Sequence, residues 1–116
     1  VVEVKPLPSG LSMITAHDRN DLTSPRIRRF LPRFEAAPPP DPARGDWRHW
    51  TALLANREHG PGESPGGAMS ISLDSGFGTV SSALIALPAA QAPSHKPVFL
   101  FAGGRPGDVP YEPVEI

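Results

Sequence analysis

Two polar runs hold the residues whose types and spacing could do chemistry. The first is His17-Asp18-Arg19-Asn20-Asp21, which follows a strand-like segment. His17, Asp18 and Asn20 would line a rim that offers an imidazole, a carboxylate and an amide to a ligand, at a strand end where sites tend to sit. The same residue types also build a solvated loop, an Asx turn and the lead into a helix cap. His17 and Asp18 are adjacent, so on a strand they face opposite ways, which argues against a His–Asp dyad. The second run is Gly76-Phe77-Gly78-Thr79-Val80-Ser81-Ser82. Its glycines permit close backbone approach, and Thr79 and Ser81 then share a face. Gly78, Thr79, Ser81 and Ser82 are therefore pocket-lining candidates. The competing reading is a bulged edge whose hydroxyls bond the neighbouring backbone. No Gly-Lys-Ser/Thr follows, so this is not a phosphate loop, and Gly-x-Ser-x-Gly is missing, so it is not a nucleophile elbow.

The remaining chemistry is narrower. Cysteine is absent, which excludes disulfides, thiolate metal sites and a cysteine nucleophile within this chain, and fits a reducing, cytoplasmic compartment. His17, His49, His59 and His95 have no metal-like spacing, and no His-x-x-x-His pair exists for one helix face, so no metal site is expected. Arg26, Arg28, Arg29 and Arg33 lie on one predicted helix, either to contact an anion or acidic partner or as the solvated side of an amphipathic helix. The 11 basic and 12 acidic side chains give a net charge of −1, so no basic surface tracks nucleic acid. No apolar run of about 18 residues could span a membrane.

These residues need elements to hold them. Val1 to Lys5 and Leu11 to Thr15 read as two short strands joined by the turn Pro6–Gly10. Ser24 and Pro25 open a helix, as N-cap and first residue, with Ile27, Phe30, Leu31 and Phe34 on one stripe. Pro32 would cut or kink it. A proline-rich linker runs over Pro38–Ala43. Asp46 caps a second helix carrying Trp47, Trp50 and Leu54, expected to stop near Gly60-Pro61, with both tryptophans as core anchors. Flexible loops are expected at 38–45 and 60–67. Met69 to Leu73, Thr79 to Leu87 and Val98 to Ala102 read as three strands, the second covered on both faces. Asp74–Gly76 and Gly103–Gly107 are turns, Pro88 to Pro93 is a loop, and the tail is irregular. The order is β-β-α-α-β-β-β, an α+β class with mainly antiparallel strands. Length allows one domain, or the C-terminal portion of a larger one. The 16 prolines and 11 glycines leave a thin core, and opening on a strand at Val1 suggests an excerpt or a cleavage product.

The stretch Gly76 to Leu87, the segment Gly10 to Asp21, and Phe101-Ala102-Gly103-Gly104 with Tyr111 resemble the later half of the NRDE proteins, bacterial relatives of the transport-and-Golgi-organisation protein. The most specific part is the Gly-Thr-x-Ser-Ser strand, here Gly78, Thr79, Ser81 and Ser82. The resemblance implies an αββα sandwich similar to N-terminal-nucleophile hydrolases. It also implies that the cysteine nucleophile and the Asn-Arg-Asp-Glu motif belong to an N-terminal segment or chain of the same protein, which becomes the expected partner. Many members carry roughly Gly-Leu-x-x-Leu-Ser-Asn after the matching glycine. Here Thr15-Ala16-His17 stands there, so an amide-assisted oxyanion role would fall to Asn20 or be lost. Haem handling, lipid-related homeostasis and amide hydrolysis are the roles the resemblance brings, with haem as its possible cofactor and a small molecule as its ligand. The competing function is a non-enzymatic interaction module that holds a protein partner through the proline-rich linker and the arginine helix.

Overall fold

The first helix forms where its capping residues place it. In the computed structural model, which describes residues 1–92 and 94–116, helix α1 spans Pro25–Ala36, and the Ser24 hydroxyl accepts from the Ile27 N–H at 3.3 Å. Ile27, Phe30 and Leu31 are its buried face. Pro32 lies inside the helix and does not end it. The carbonyl that its missing N–H leaves free is that of Arg28, on the exposed side, where water can serve it. Helix α2 spans Arg48–Leu54, with Trp47 as N-cap. Asp46, expected as the cap, lies one residue before it and accepts from the Arg48 N–H at 3.3 Å. The helix stops well before Gly60 because the backbone is redirected at Asn56: its carbonyl accepts from the Ser70 N–H at 2.9 Å and its side chain from the Glu58 N–H at 2.8 Å. Trp47 is buried at 6 % exposure, as an anchor should be. Trp50 packs edge-on against Phe34, with ring centroids 5.6 Å apart.

The arginines of α1 are partly exposed, and each also has a partner. Arg26 donates to the carbonyls of Ala68 and Gly66 at 2.9 and 3.2 Å, Arg28 pairs with Glu63, and Arg29 and Arg33 reach Glu58 at 3.5 and 3.0 Å. They clamp the 58–68 segment onto the helix, so the stretch expected as a loose 60–67 loop is docked, with Gly60 and Gly67 buried and a short 3₁₀ turn at Pro65–Gly67. The linker is likewise closed: Asp41 and Asp46 exchange backbone bonds at 2.9 and 3.0 Å around a 3₁₀ turn at Pro42–Arg44, with Gly45 at φ 68°.

The clamp has a pH signature. Hydrogen bonding from Arg33, with its charge and that of Arg29, holds the Glu58 carboxyl below its ordinary value of 4.5. A depressed carboxylate stabilises the fold fully above the unfolded value and loses that contribution as pH falls through the folded one. Acid unfolding followed by circular dichroism should therefore begin below about pH 4.5, and Glu58→Gln should make the wild-type advantage at neutral pH disappear without moving the acid limb upward.

Three strands form one antiparallel sheet in the order β1 (Ser82–Ala86), β2 (Val98–Ala102), β3 (Glu112–Pro113). The described architecture is thus mixed α+β with element order α-α-β-β-β. The Val114 N–H donates to the Phe99 carbonyl at 2.9 Å, so Phe99 and Phe101 direct their backbone groups toward β3, and Val98, Leu100 and Ala102 direct theirs toward β1. Pro113 sits opposite Leu100, a position that needs no N–H and so tolerates proline. On β1, Ser82, Leu84 and Ala86 face β2 in register. Ala83 and Ile85 therefore turn their N–H and C=O groups to the free edge.

The sheet also corrects several expectations. Val1–Lys5 and Leu11–Thr15 are not strands, and residues 1–10 are exposed throughout. An isolated ribbon is marginal without a third partner, and Met13 bonds instead to Asn20, through N–H to Oδ1 at 2.7 Å and C=O from N–H at 2.9 Å. Among the described residues, Met69–Leu73 has only the isolated bridge Ser72–Gly78. The β1 strand begins at Ser82 rather than Thr79, and it is covered on one face only, with Leu84 buried at 3 % and Ile85 exposed at 57 %. The tail supplies β3 rather than irregular chain. β2 occupies the predicted Val98–Ala102. The predicted loop Pro88–Pro93 ends on Pro93, which lies outside the described residues. Among the described residues, no helix is long and apolar enough to cross a membrane.

Candidate functional site

Each sequence candidate has a definite place. His17 is exposed and borders a small pocket of about 280 Å³ at the start of α1, together with Thr15, Ser24, Arg26, Ser64 and Gly66. None of Gly78, Thr79, Ser81 or Ser82 borders it, so the two polar runs do not meet there. The hydroxyls at this pocket are already engaged: Ser24 caps Ile27 at 3.3 Å and Ser64 accepts from the Gly66 N–H at 3.1 Å. His17 itself is held by its backbone, whose N–H donates to Thr15 Oγ1 at 3.2 Å. Asp18 is exposed and contributes its carbonyl to Asp21 N–H at 3.1 Å. Asp21 accepts from the Thr23 hydroxyl and N–H at 2.7 and 2.9 Å, which lowers its pKa. Among the described residues the pocket presents no paired nucleophile and base.

Asn20 is a structural clip. It sits at φ 55°, a left-handed conformation that asparagine tolerates better than most residues. From there its side chain and backbone both close on Met13. The Asn20 amide is thereby turned into its own loop.

The second run is structural in the same sense. Thr79 grips Ile71 twice, its N–H donating to the Ile71 carbonyl and its hydroxyl accepting from the Ile71 N–H, both at 2.9 Å. Gly78 stands where a Cβ would meet the Ile71 carbonyl at 2.7 Å, so close approach of this chain's own backbone, not a ligand, demands the glycine. Ser82 accepts from the Tyr111 hydroxyl at 2.7 Å, tying β1 to the tail. Ser81 is exposed, without a side-chain hydrogen bond among the described residues. Thr79→Val should cost about 1–3 kcal/mol by stranding the Ile71 N–H, and Gly78→Ala a similar amount by forcing the two backbones apart. Urea denaturation measures both, and unchanged midpoints would return these positions to the list of ligand contacts.

A second concavity was not read from the sequence. A groove of about 310 Å³ runs between the Leu11–Thr15 segment and Ala83–Ile85 of β1. The rest of its lining is mostly apolar, from Leu31, Phe34, Trp47, Trp50, Leu54 and Met69, with Arg26. Helical spacing pointed to Leu31, Phe34, Trp47, Trp50 and Leu54 as core, and nothing local showed that the core would stay open on one side. Among the described residues no three metal-ligating side chains cluster. Comparison with protein-family models, with characterised proteins and with solved structures finds no significant match.

Proposed function

We propose that this chain is the non-catalytic half of an NRDE-type αββα sandwich, and that it forms a supporting wall in the handling of a small-molecule ligand. The observation that carries this reading is the bare apolar face of the sheet. Ser82, Leu84, Ala86, Val98, Leu100 and Ala102 share one face, where Leu84 and Ala102 are buried, and Ala83, Ile85, Phe99 and Phe101 share the other, where Ile85 and Phe101 stay exposed. A sheet of two-sided apolar character with one face unfilled is what half of a two-sheet sandwich presents. The engaged state of Asn20, Thr79 and Ser82 supports the non-catalytic part: the group that breaks a bond, in a hydrolase of this kind, would come from the N-terminal portion of the protein. The haem or lipid-related ligand suggested by the resemblance would then be held only by the joined halves.

The reading is tested on the chain itself. It should enhance the fluorescence of an apolar dye, and Ile85→Lys with Phe101→Lys should remove most of that enhancement while leaving the circular dichroism unchanged. Dye binding indifferent to those charges would mean that this face is not the open one. Hemin titrated into the chain should give no saturable Soret shift. A saturable one would place the ligand site wholly within these residues and end the half-sandwich proposal.

A further inference from the structure

Residues 57–69 leave the body of the protein and return to the same point. The Ser70 N–H donates to the Asn56 carbonyl at 2.9 Å, and Arg105 fixes Ser70 through its hydroxyl and carbonyl at 2.7 and 3.2 Å. A loop with its ends tied together can move without pulling on the elements that flank it. Its backbone bonds are its own: the N–H groups of Glu63, Gly67 and Ala68 donate to the carbonyls of Gly60, Ser64 and Pro65 at 3.0, 2.9 and 3.2 Å. What holds it to the rest is different in kind. Among the described residues, every hydrogen bond between 57–69 and the chain beyond Asn56 and Ser70 involves an arginine side chain. Arg26 reaches the Gly66 and Ala68 carbonyls, Arg28 reaches Glu63, Arg29 and Arg33 reach Glu58, and Arg57 reaches Asp108. The Glu58 side chain is 62 % exposed, so salt can screen its pairs. Apolar burial adds little: among the described residues the loop buries the Ala68 methyl, where α1 buries Ile27, Phe30 and Leu31.

We propose that residues 57–69 form a lid latched by charge, which opens as one unit while α1 and the sheet stay folded. Segments with few buried apolar contacts and part-exposed hydrogen bonds are those that open well below the cost of global unfolding. The lid also has something to uncover. Its residues Ser64, Gly66 and Gly67 line the pocket at the start of α1, together with His17, Ser24 and Arg26. Opening removes that part of the wall and releases Arg26, Arg28, Arg29 and Arg33 from their partners at once. The lid involves neither the exposed sheet face nor the β1 edge, so it stands apart from the half-sandwich proposal.

Hydrogen exchange read by mass spectrometry on the whole chain at neutral pH tests this. Peptides covering 57–69 should be protected, yet exchange faster than those covering α1 and β2. Raising NaCl from about 0.1 to about 1 M, which shortens the screening length from about 10 to about 3 Å, should speed exchange in 57–69 severalfold and leave α1 and β2 unmoved. Glu58→Gln with Glu63→Gln should speed it about tenfold at the lower salt, the combined scale of three part-exposed ion pairs, and should remove most of the salt dependence. If that double variant does not fold, the wild-type salt series decides alone. Exchange in 57–69 at the same rate as in α1 and β2 would mean that the loop opens only when everything unfolds, and would overturn the proposal. So would exchange indifferent to both salt and substitution, a loop with no protection at the lower salt, or an acceleration that spreads equally to α1 and β2.

Discussion

Phe30→Ala should lower the free energy of unfolding by about 3–5 kcal/mol. Phe30 is the largest fully buried side chain described, at 0 % exposure, and it sits beside Ile27, also at 0 %. The rest of the buried apolar set is small: Leu31, Trp47, Ala68, Ile71, Leu84 and Ala102. A domain of this size has about 5–15 kcal/mol of stability to lose, so removing the ring takes a large share of it. The Arg33 guanidinium also lies 5.4 Å from the Phe30 ring centroid, a cation–π contact worth about 0.5–1 kcal/mol at exposed sites. Phe30→Leu keeps most of the apolar contact, drops that interaction, and should cost distinctly less. The urea midpoint and slope of the three proteins decide it. An Ala variant within about 1 kcal/mol of wild type would mean that α1 is not the centre of the core.

Arg105→Ala is expected to have the next largest effect, about 1.5–3 kcal/mol. Arg105 Nε donates to the Ser70 hydroxyl at 2.7 Å and its Nη2 to the Ser70 carbonyl at 3.2 Å. Ser70 is almost fully buried, at 1 % exposure, and its own N–H donates to Asn56. One guanidinium therefore joins the turn after β2 to the segment leaving α2, and its removal strands two acceptors away from water. The same turn is tied by Arg57 to Asp108 at 2.6 Å, but that pair is half exposed and should contribute little. The check is a double-mutant cycle of Arg105→Ala with Ser70→Ala. A coupling energy near zero would show that Arg105 acts without Ser70.

Legibility from sequence followed how local the decisive interaction was. α1 was readable because its signals lie within one turn of one another: Ser24 caps, Pro25 starts, and Ile27, Phe30 and Leu31 share a stripe. β2 was readable because an apolar run is bounded by turn residues on both sides. Val1–Lys5 carries an equally strand-like pattern and pairs with no strand among the described residues, since a strand exists only where another chain segment meets its edge. The candidate site was legible as residue types and not as roles. Thr79 and Asn20 look like ligand contacts in a list of polar residues. Their hydroxyl and amide turn instead to Ile71 and Met13, at separations no local pattern specifies. Arg105 gave no signal at all, because its partner Ser70 lies in another segment.

By itself the sequence determined the presence of two helices, the buried stripe of α1, the β2 strand, the absence of cysteine and a net charge of −1. These follow from side-chain identity and short-range spacing. Only the tertiary structure decided that the arginines of α1 clamp a loop, that the conspicuous hydroxyls hold backbone in place, and that one sheet face and the β1 edge remain open. Those outcomes depend on which distant segments meet, and on where apolar surface is left with no segment of the same chain to cover it.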